Sequence, residues 1–517
     1  MAISFIFMRT SEPGEQAERT AYAVLALAVA ARLVAAALVP LAPDETYYWE
    51  WSRHLAAGYL DHPPAIALLI RLGTMLLGAT PLGVRLGSVI AGAIASVAVV
   101  RVAGQLGGPR AMQRAASLIA CMPLAQIGLT LATPDAPLLL FWTLALAALL
   151  AALRDAADAR TRRAAWALAG LALGAALSSK YTALLFAAGA SVALLAQPSL
   201  RRTLATRDPY IAIAVAAVVV APNLLWNATH GWVSFAYQLA HGLRVHRGSA
   251  LRHELQLLGG QIALVSPLLL AVLAISVSRA ARPRDDPLRT TLACVAAVTW
   301  LVFVVTALRS AVEPNWPAPA YLSALVLAAS HDGGIRWRRL VRAACALGGA
   351  AIILTYVHAI VPIVPLNIAR DPTASGYGWN TLAAHVDSAR YDRDSTAAAG
   401  HRSWVAGERY QEASELAFHL PDHPITFAID VRGRANQYDL WPSFSERAHP
   451  GDRLVLVLGL FTLPENDPVI AALRPHFGSV ELREVVALRR GAAVRAWRRV
   501  WVLEGWHGSW PSAALAR

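Results

Sequence analysis

The residues with the most chemical potential in this chain stand where apolar runs end. The segment from Leu41 to Trp51 reads LAPDETYYWEW and sets two carboxylates, Asp44 and Glu45, directly after the first long apolar run. A base is needed whenever a hydroxyl attacks a carbon centre, and a carboxylate at a low-dielectric boundary gains basicity by desolvation. Asp44 suits that work, with Glu45 beside it as a contact to substrate. The same residues also fit a plain helix start in which Pro43 ends the run and Asp44 caps a helix beginning at Glu45, so both readings stand at this point.

Further along the same loop, Gly58-Tyr-Leu-Asp-His-Pro-Pro places Asp61 and His62 ahead of two prolines that pre-set the backbone for a helix. His62 is a candidate contact for a phosphate and Asp61 its orienting partner; an exposed helix cap is the alternative. Thr133-Pro-Asp-Ala-Pro puts Asp135 at a helix end near membrane depth, where a carboxylate faces protein or water rather than lipid. It either holds a basic partner or caps the helix it opens. Lys180, in Ser178-Ser-Lys-Tyr-Thr, is the sole lysine among 46 basic residues. A cation there can neutralise a departing phosphate, while snorkelling to the interface is its structural reading. Arg244 and Arg247 give the loop from Asn227 to Glu254 a basic character suited to an anionic group, and Glu313 lies in Glu-Pro-Asn-Trp-Pro-Ala-Pro, the last outer turn.

The elements that must position these groups are membrane helices. With 56% apolar side chains, 15% charged ones and 517 residues, the chain departs from soluble composition. Apolar stretches near 21–40, 82–103, 114–132, 135–153, 164–178, 181–197, 209–226, 254–278, 290–308, 317–330 and 340–364 predict about eleven transmembrane helices. The formal charge of +13 is a topology signal: with a cytoplasmic N-terminus, inside loops carry twenty basic residues and outside segments seven. The basic residues form no aromatic-laced stripe, so nucleic acid is not an expected partner. Ala65 to Leu77 is too short to span and carries Arg71, which suits a helix lying in the outer interface. The first run is expected to stay as an uncleaved signal-anchor.

Beyond about residue 366 the pattern turns to mixed polarity, with strand-like runs at Asp452–Leu460 and Ala493–Leu503 and a helix-like one at Glu408–Leu420. The expected organisation is a membrane domain over 1–365 and a soluble α/β domain over 366–517, on the outer face. Cys121, Cys294 and Cys345 sit singly in apolar segments, and His241 and His246 lack a metal spacing, so neither a disulfide framework nor a metal is expected. No phosphate loop is present, and Asp392-Arg-Asp394 reads as solvated surface.

Taken together, Asp44-Glu-Thr-Tyr-Tyr-Trp, Asp61-His-Pro-Pro, Thr133-Pro-Asp-Ala-Pro, Ser179-Lys-Tyr-Thr and Glu313-Pro-Asn-Trp-Pro-Ala-Pro resemble the bacterial branch of the dolichyl-phosphate-mannose-protein mannosyltransferase family. Tyr410-Gln-Glu-Ala-Ser-Glu-Leu-Ala-Phe-His-Leu-Pro and Asn436-Gln-Tyr-Asp-Leu-Trp are similar to the outer domains of the same branch. The resemblance implies a GT-C bundle and a polyprenyl-phosphate-linked sugar as donor. It further implies inversion at the anomeric carbon, catalysis by Asp44, and neither metal nor cofactor. In the related lipid A aminoarabinose transferases a Glu-Lys-Pro segment stands where Asp61-His62-Pro63 does, with its lysine serving the carrier phosphate. The departure at His62 opens that role to Lys180 or the loop arginines.

An envelope lipid, a glycan or a protein hydroxyl would be the acceptor, at a bacterial inner membrane with the C-terminal domain in the periplasm. The rival reading is a transporter or flippase of lipid-linked sugars. It predicts inverted halves and midplane charges, whereas the candidate residues gather at the outer rim.

Overall fold

The computed structural model describes residues 14–154, 158–243, 248–281, 286–391, 401–429, 434–459 and 467–510. The chain divides into two compact units, one of residues 1–37 and 55–356, the other of residues 38–54 and 357–517.

The first unit is helical. Its main helices are α1 (Glu15–Leu38, continuing to the edge of the other unit), α3 (Ala65–Leu77), α4 (Pro81–Gly107), α5 (Pro109–Ala120), α6 (Pro123–Gly128), α7 (Asp135–Ala152), α8 (Ala159–Leu177) and α9 (Leu184–Ala196). After these come α10 (Asp208–Thr229), α11 (Val233–Leu243), α12 (Ala250–Val265), α13 (Pro267–Ala280), α14 (Pro287–Ala307), α15 (Ala318–Ser330) and α16 (Gly334–Ile360). Among the described residues six helices are long and apolar enough to cross a membrane, or up to eight if each bent pair counts as one span. Alanine and glycine let the helices approach closely, as membrane bundles require where apolar burial drives nothing. At Gly170 on α8 a side chain would meet the Ala212 carbonyl of α10 at 2.2 Å.

Two expected spans are broken. The run 254–278 is α12 and α13, which meet at 104°. Pro267 has no N–H to continue the ladder, Ser266 turns to a φ of 80°, and its side chain caps Leu269 N. The run 114–132 is divided in the same way before Pro123. The short helix α3 turns Leu68, Leu72, Met75 and Leu76 outward, an apolar face consistent with an interfacial position.

The second unit holds α2 (Pro43–Arg53), the end of α16, α17 (Trp379–Arg390), α18 (Tyr410–His419), α19 (Pro468–Leu473) and a five-stranded sheet. The strands are β1 (Ser403–Gly407), β2 (Thr426–Ala428), β3 (Arg453–Gly459), β4 (Phe477–Arg490) and β5 (Ala493–Trp506), in spatial order β2-β1-β3-β5-β4. Strand β1 runs parallel to β2 and β3, and β5 runs antiparallel to β3 and β4. All seven residues of β3 are buried, as a central strand covered on both faces demands. Leu454, Leu456 and Leu458 pack with Phe444, Phe477 and Trp501, while Val455 and Val457 face Trp379, Leu382 and Leu416. This is the period-two alternation of a strand read out as two cores.

Candidate functional site

Helix α2 begins two residues earlier than a start at Glu45 would have it, with Pro43 as its first residue. Its cap is made by Glu45, whose Oε2 accepts the Ala42 N–H at 2.9 Å, so the buried carboxylate of the pair closes the helix. Asp44 is the exposed one. Its Oδ1 accepts a hydrogen bond from the Tyr410 hydroxyl at 3.3 Å, and the helix N-terminus favours its negative charge. Of the two adjacent carboxylates, burial falls on Glu45 and not on Asp44.

Tyr410 opens α18 and packs against Tyr47 of α2, the rings tilted by 40° with centroids 4.3 Å apart. Arg434 lies over the Tyr410 ring, its guanidinium carbon 5.5 Å from the ring centre. The two helices are further joined by Thr46 Oγ1 and Ser414 Oγ at 3.1 Å, and the Tyr47 hydroxyl accepts Gln437 N–H at 2.6 Å. Beneath them Glu415 is buried and pushed well above the carboxylate range by burial, against the nearby Arg495. His419, 3.1 Å away, is pushed down to about 4 by its own burial. Although their spacing is that of an ion pair, both groups are driven to their neutral forms, so we treat the contact as a neutral pair. Glu412 behaves oppositely, held below its ordinary value despite burial because Arg409 and Arg498 approach to 2.8 and 2.9 Å.

In the first unit the structure brings Asp135 and Lys180 together. Asp135 opens α7, and Lys180 occupies the extended break after α8, held there by Ser178 and Ser179 bonding back to the last turn. Lys180 Nζ donates to Asp135 Oδ1 at 2.8 Å, and Asn315 Nδ2 donates to Oδ2 at 2.7 Å. Lys180 is only 8% exposed, so its ammonium is a buried partner of Asp135. Its neighbour Tyr181 donates to Asn223 Oδ1 at 3.0 Å and accepts from Asn227 Nδ2 at 3.2 Å, both from α10.

Asp61 and His62 lie in a loop clamped through its backbone. Asn223 bonds the Ala57 carbonyl at 2.9 Å, Ser234 the Tyr59 carbonyl and Gln238 the Asp61 carbonyl, while Gly58 leaves room for the Trp226 ring. Asp61 is buried and His62 half-buried. Glu313 is exposed, and it is Asn315 of the same turn that reaches Asp135. Arg244 and Arg247, like Asp392 and Asp394, lie outside the described residues.

Sequence reasoning passed over Tyr410, Asn223, Asn315 and the buried arginines Arg32 and Arg85. The last two had a visible signal, a cation inside an apolar span: Arg32 Nε donates to Gln126 Oε1 at 3.2 Å and Arg85 to the Ala36 carbonyl at 3.3 Å.

Residues 61–226 match the family model described as dolichyl-phosphate-mannose-protein mannosyltransferase. The chain is 30% identical over 325 residues to the lipid A galacturonosyltransferase RgtD of Rhizobium johnstonii, a match covering 62% of this chain and 66% of that protein's length. Two crystal structures of ArnT from Cupriavidus metallidurans, apo and bound to undecaprenyl phosphate, superpose with TM-scores of 0.63 and 0.64 at 16% identity. Each covers 93% of this chain and 97% of theirs, so the fold is shared almost from end to end. The chain is thus similar to the family the motifs resemble and to a curated lipid A galacturonosyltransferase, of whose length it spans just under two thirds, and it shares the fold of ArnT.

Proposed function

We propose that this protein is an inverting glycosyltransferase of the bacterial inner membrane that moves a sugar from a polyprenyl-phosphate carrier to an envelope acceptor on the periplasmic face. The observation that carries this reading is the division of labour at the start of α2. Glu45 makes the cap, and Asp44 is the exposed carboxylate with a phenol hydrogen bond. In the proposed reaction Asp44 takes the proton of the acceptor hydroxyl as its oxygen attacks the anomeric carbon. The bond from that carbon to the carrier phosphate breaks on the opposite face, and its electron pair leaves on the phosphate, which inverts the centre.

Stabilising that phosphate is the role we assign to the basic residues. Lys180 has spent one of its three N–H donors on Asp135 and keeps the others for an anion; Arg244, Arg247 and His62 are the other candidates. Asp61, Glu45 and Glu313 we assign to holding substrate or its surrounding loops. For the acceptor, the name of the curated relative favours a lipid A-type lipid over a free glycan or a protein hydroxyl. The arginine bias supports a cytoplasmic N-terminus and an outer 366–517 domain. Eleven spans require that the bent pairs and 109–128, 159–177 and 318–330 cross as well.

The test is incubation of purified protein with radiolabelled polyprenyl-phosphate sugars and envelope fractions, wild type beside Asp44→Asn. Loss of transfer by about 10²- to 10⁴-fold is expected for removal of a general base. Equal transfer by both proteins removes Asp44 from the mechanism, and carrier translocation in liposomes without transfer supports a flippase instead.

A further inference from the structure

Between α2 and the sheet, within the second unit, lies a cleft of about 990 Å³. Its lining is aromatic and polar at once: Glu50 and His54 from α2, then Arg434, Tyr438, Trp441 and Phe444. Trp441 is half-buried and packs against His54 and Tyr438, with centroids 4.7 and 5.1 Å away, so its ring is a braced platform rather than a swinging side chain. Phe444 and Trp510 meet at 5.0 Å on another wall.

Charge narrows the class of occupant. Arg434 and Arg447 are matched by Asp439 and Glu446, with the Glu50 carboxyl beside them, so the cleft has no excess of cations with which to select a phosphate. An acyl chain fits poorly against four charged side chains. Flat aromatic faces combined with donors and acceptors of both signs suit a ligand with apolar C–H faces and a rim of hydroxyls, and the volume is at the upper end of about 300–1,000 Å³ for small-ligand sites. Arg434 connects the lining of the cleft with the proposed base. It lines the cleft and lies over Tyr410, whose hydroxyl bonds Asp44, and α2 carries Asp44 at one end and Glu50 about 9 Å further along a helix rising 1.5 Å per residue.

We propose that this cleft is a saccharide-binding site that seats a sugar unit of the acceptor, an inference that rests on the transferase reading given above. A ring face stacks on Trp441, which Tyr438 braces, and hydroxyls exchange hydrogen bonds with Glu50, Asp439 and the guanidinium of Arg434.

The experiment uses the full chain in an amine-oxide detergent, which carries no sugar headgroup, with chitobiose and maltotriose as probes and inorganic phosphate as the anionic control. Binding is followed by tryptophan fluorescence and by saturation-transfer NMR. Saturable binding of at least one saccharide is expected, weakened tenfold or more in Trp441→Ala and in Ala435→Trp, which fills the cleft from an exposed position, and retained in Trp441→Phe. Absence of saturable binding, unchanged binding in Ala435→Trp, or displacement of the saccharide by phosphate overturns the proposal. Donor hydrolysis is measured on the same preparations with wild type and Asp44→Asn. Hydrolysis that depends on Asp44 without saccharide binding sinks the cleft alone, whereas saccharide binding with Asp44-independent hydrolysis sinks the transferase reading on which the acceptor role rests.

Discussion

Asp44 and Glu45 are neighbours in sequence, and their surroundings give them different work. Replacing Glu45 with alanine removes the cap of α2, at a cost of about 0.5–2 kcal/mol, and lowers the unfolding temperature without touching an exposed carboxylate. Tyr410→Phe removes the hydrogen bond to Asp44 and keeps the packing against Tyr47, so kcat/KM is expected to fall by no more than about tenfold, the worth of a 0.5–1.5 kcal/mol bond. Glu50 supplies a pH dependence. Burial raises its carboxyl from 4.5 to about 7, against the opposing pull of Arg53 at 2.5 Å. A raised carboxyl binds its proton more tightly folded than unfolded, so its contribution is complete below about pH 4.5 and is lost as the pH rises to 7. The loss is on the order of 3 kcal/mol at 1.36 kcal/mol per unit. Thermal unfolding of Glu50→Gln should therefore be flatter than wild type between pH 4.5 and 7; a parallel decline in both proteins would remove Glu50 as its source. Asp135 and Lys180 are 45 positions apart, and nothing in one sequence announces that they pair. Their pairing changes what Lys180→Ala should do: it strands a buried carboxylate, at a cost of about 3–5 kcal/mol, and Asn at position 135 in the double variant should recover part of the loss in a melting assay.

At the level of elements, what the chain revealed beforehand depended on whether the signal was local. Strands β3 and β5 coincide closely with the expected runs because short apolar runs containing β-branched residues mark a covered strand without reference to distant partners. The division of 254–278 into α12 and α13 was hidden by hydropathy that continues through Ser266 and Pro267, although the proline was the available clue. The placement of α18 against α2 was out of reach, since Tyr410 meets Asp44 across 366 positions of sequence. Two contacts show how elements are fastened. Arg490 at the end of β4 donates to Asp371 at 2.7 Å, Thr373 at 2.9 Å and the Ala359 carbonyl at 2.9 Å, tying the sheet to the end of α16. Arg490→Ala leaves Asp371 buried without that cation and is expected to destabilise the second unit by about 3–5 kcal/mol, read as earlier loss of tryptophan fluorescence on heating. At Gly170 any larger side chain meets the backbone of α10, so Gly170→Leu should prevent α8 and α10 from packing and abolish a monodisperse preparation, where Gly259→Ala, with open space around it, should not.

For the molecule as a whole, composition and the arginine distribution were enough to give a multi-pass helical chain with a mixed α/β part after it, because both follow from solvent: lipid selects apolar runs and the translocation machinery reads basic loops. The resemblance implied a GT-C bundle, and the fold is shared nearly end to end with that of ArnT. What neither could supply was the grouping of residues 38–54 with 357–517, since a loop of one region packing into another is a property of the folded chain alone. That grouping makes α2 the element on which the proposed chemistry turns, with the capping acid, the exposed acid and the lining of a sugar-sized cleft on one helix.

The claim that Asp44 accepts the proton is tested most directly under single turnover. Donor is bound to saturation on wild type and Asp44→Asn, its affinity is measured separately by equilibrium binding, and the transfer step alone is then timed on addition of acceptor. The account predicts donor affinity within a few-fold and a transfer rate lower by about 10²- to 10⁴-fold in the variant. Transfer at the wild-type rate, or a loss fully explained by weaker donor binding, contradicts it.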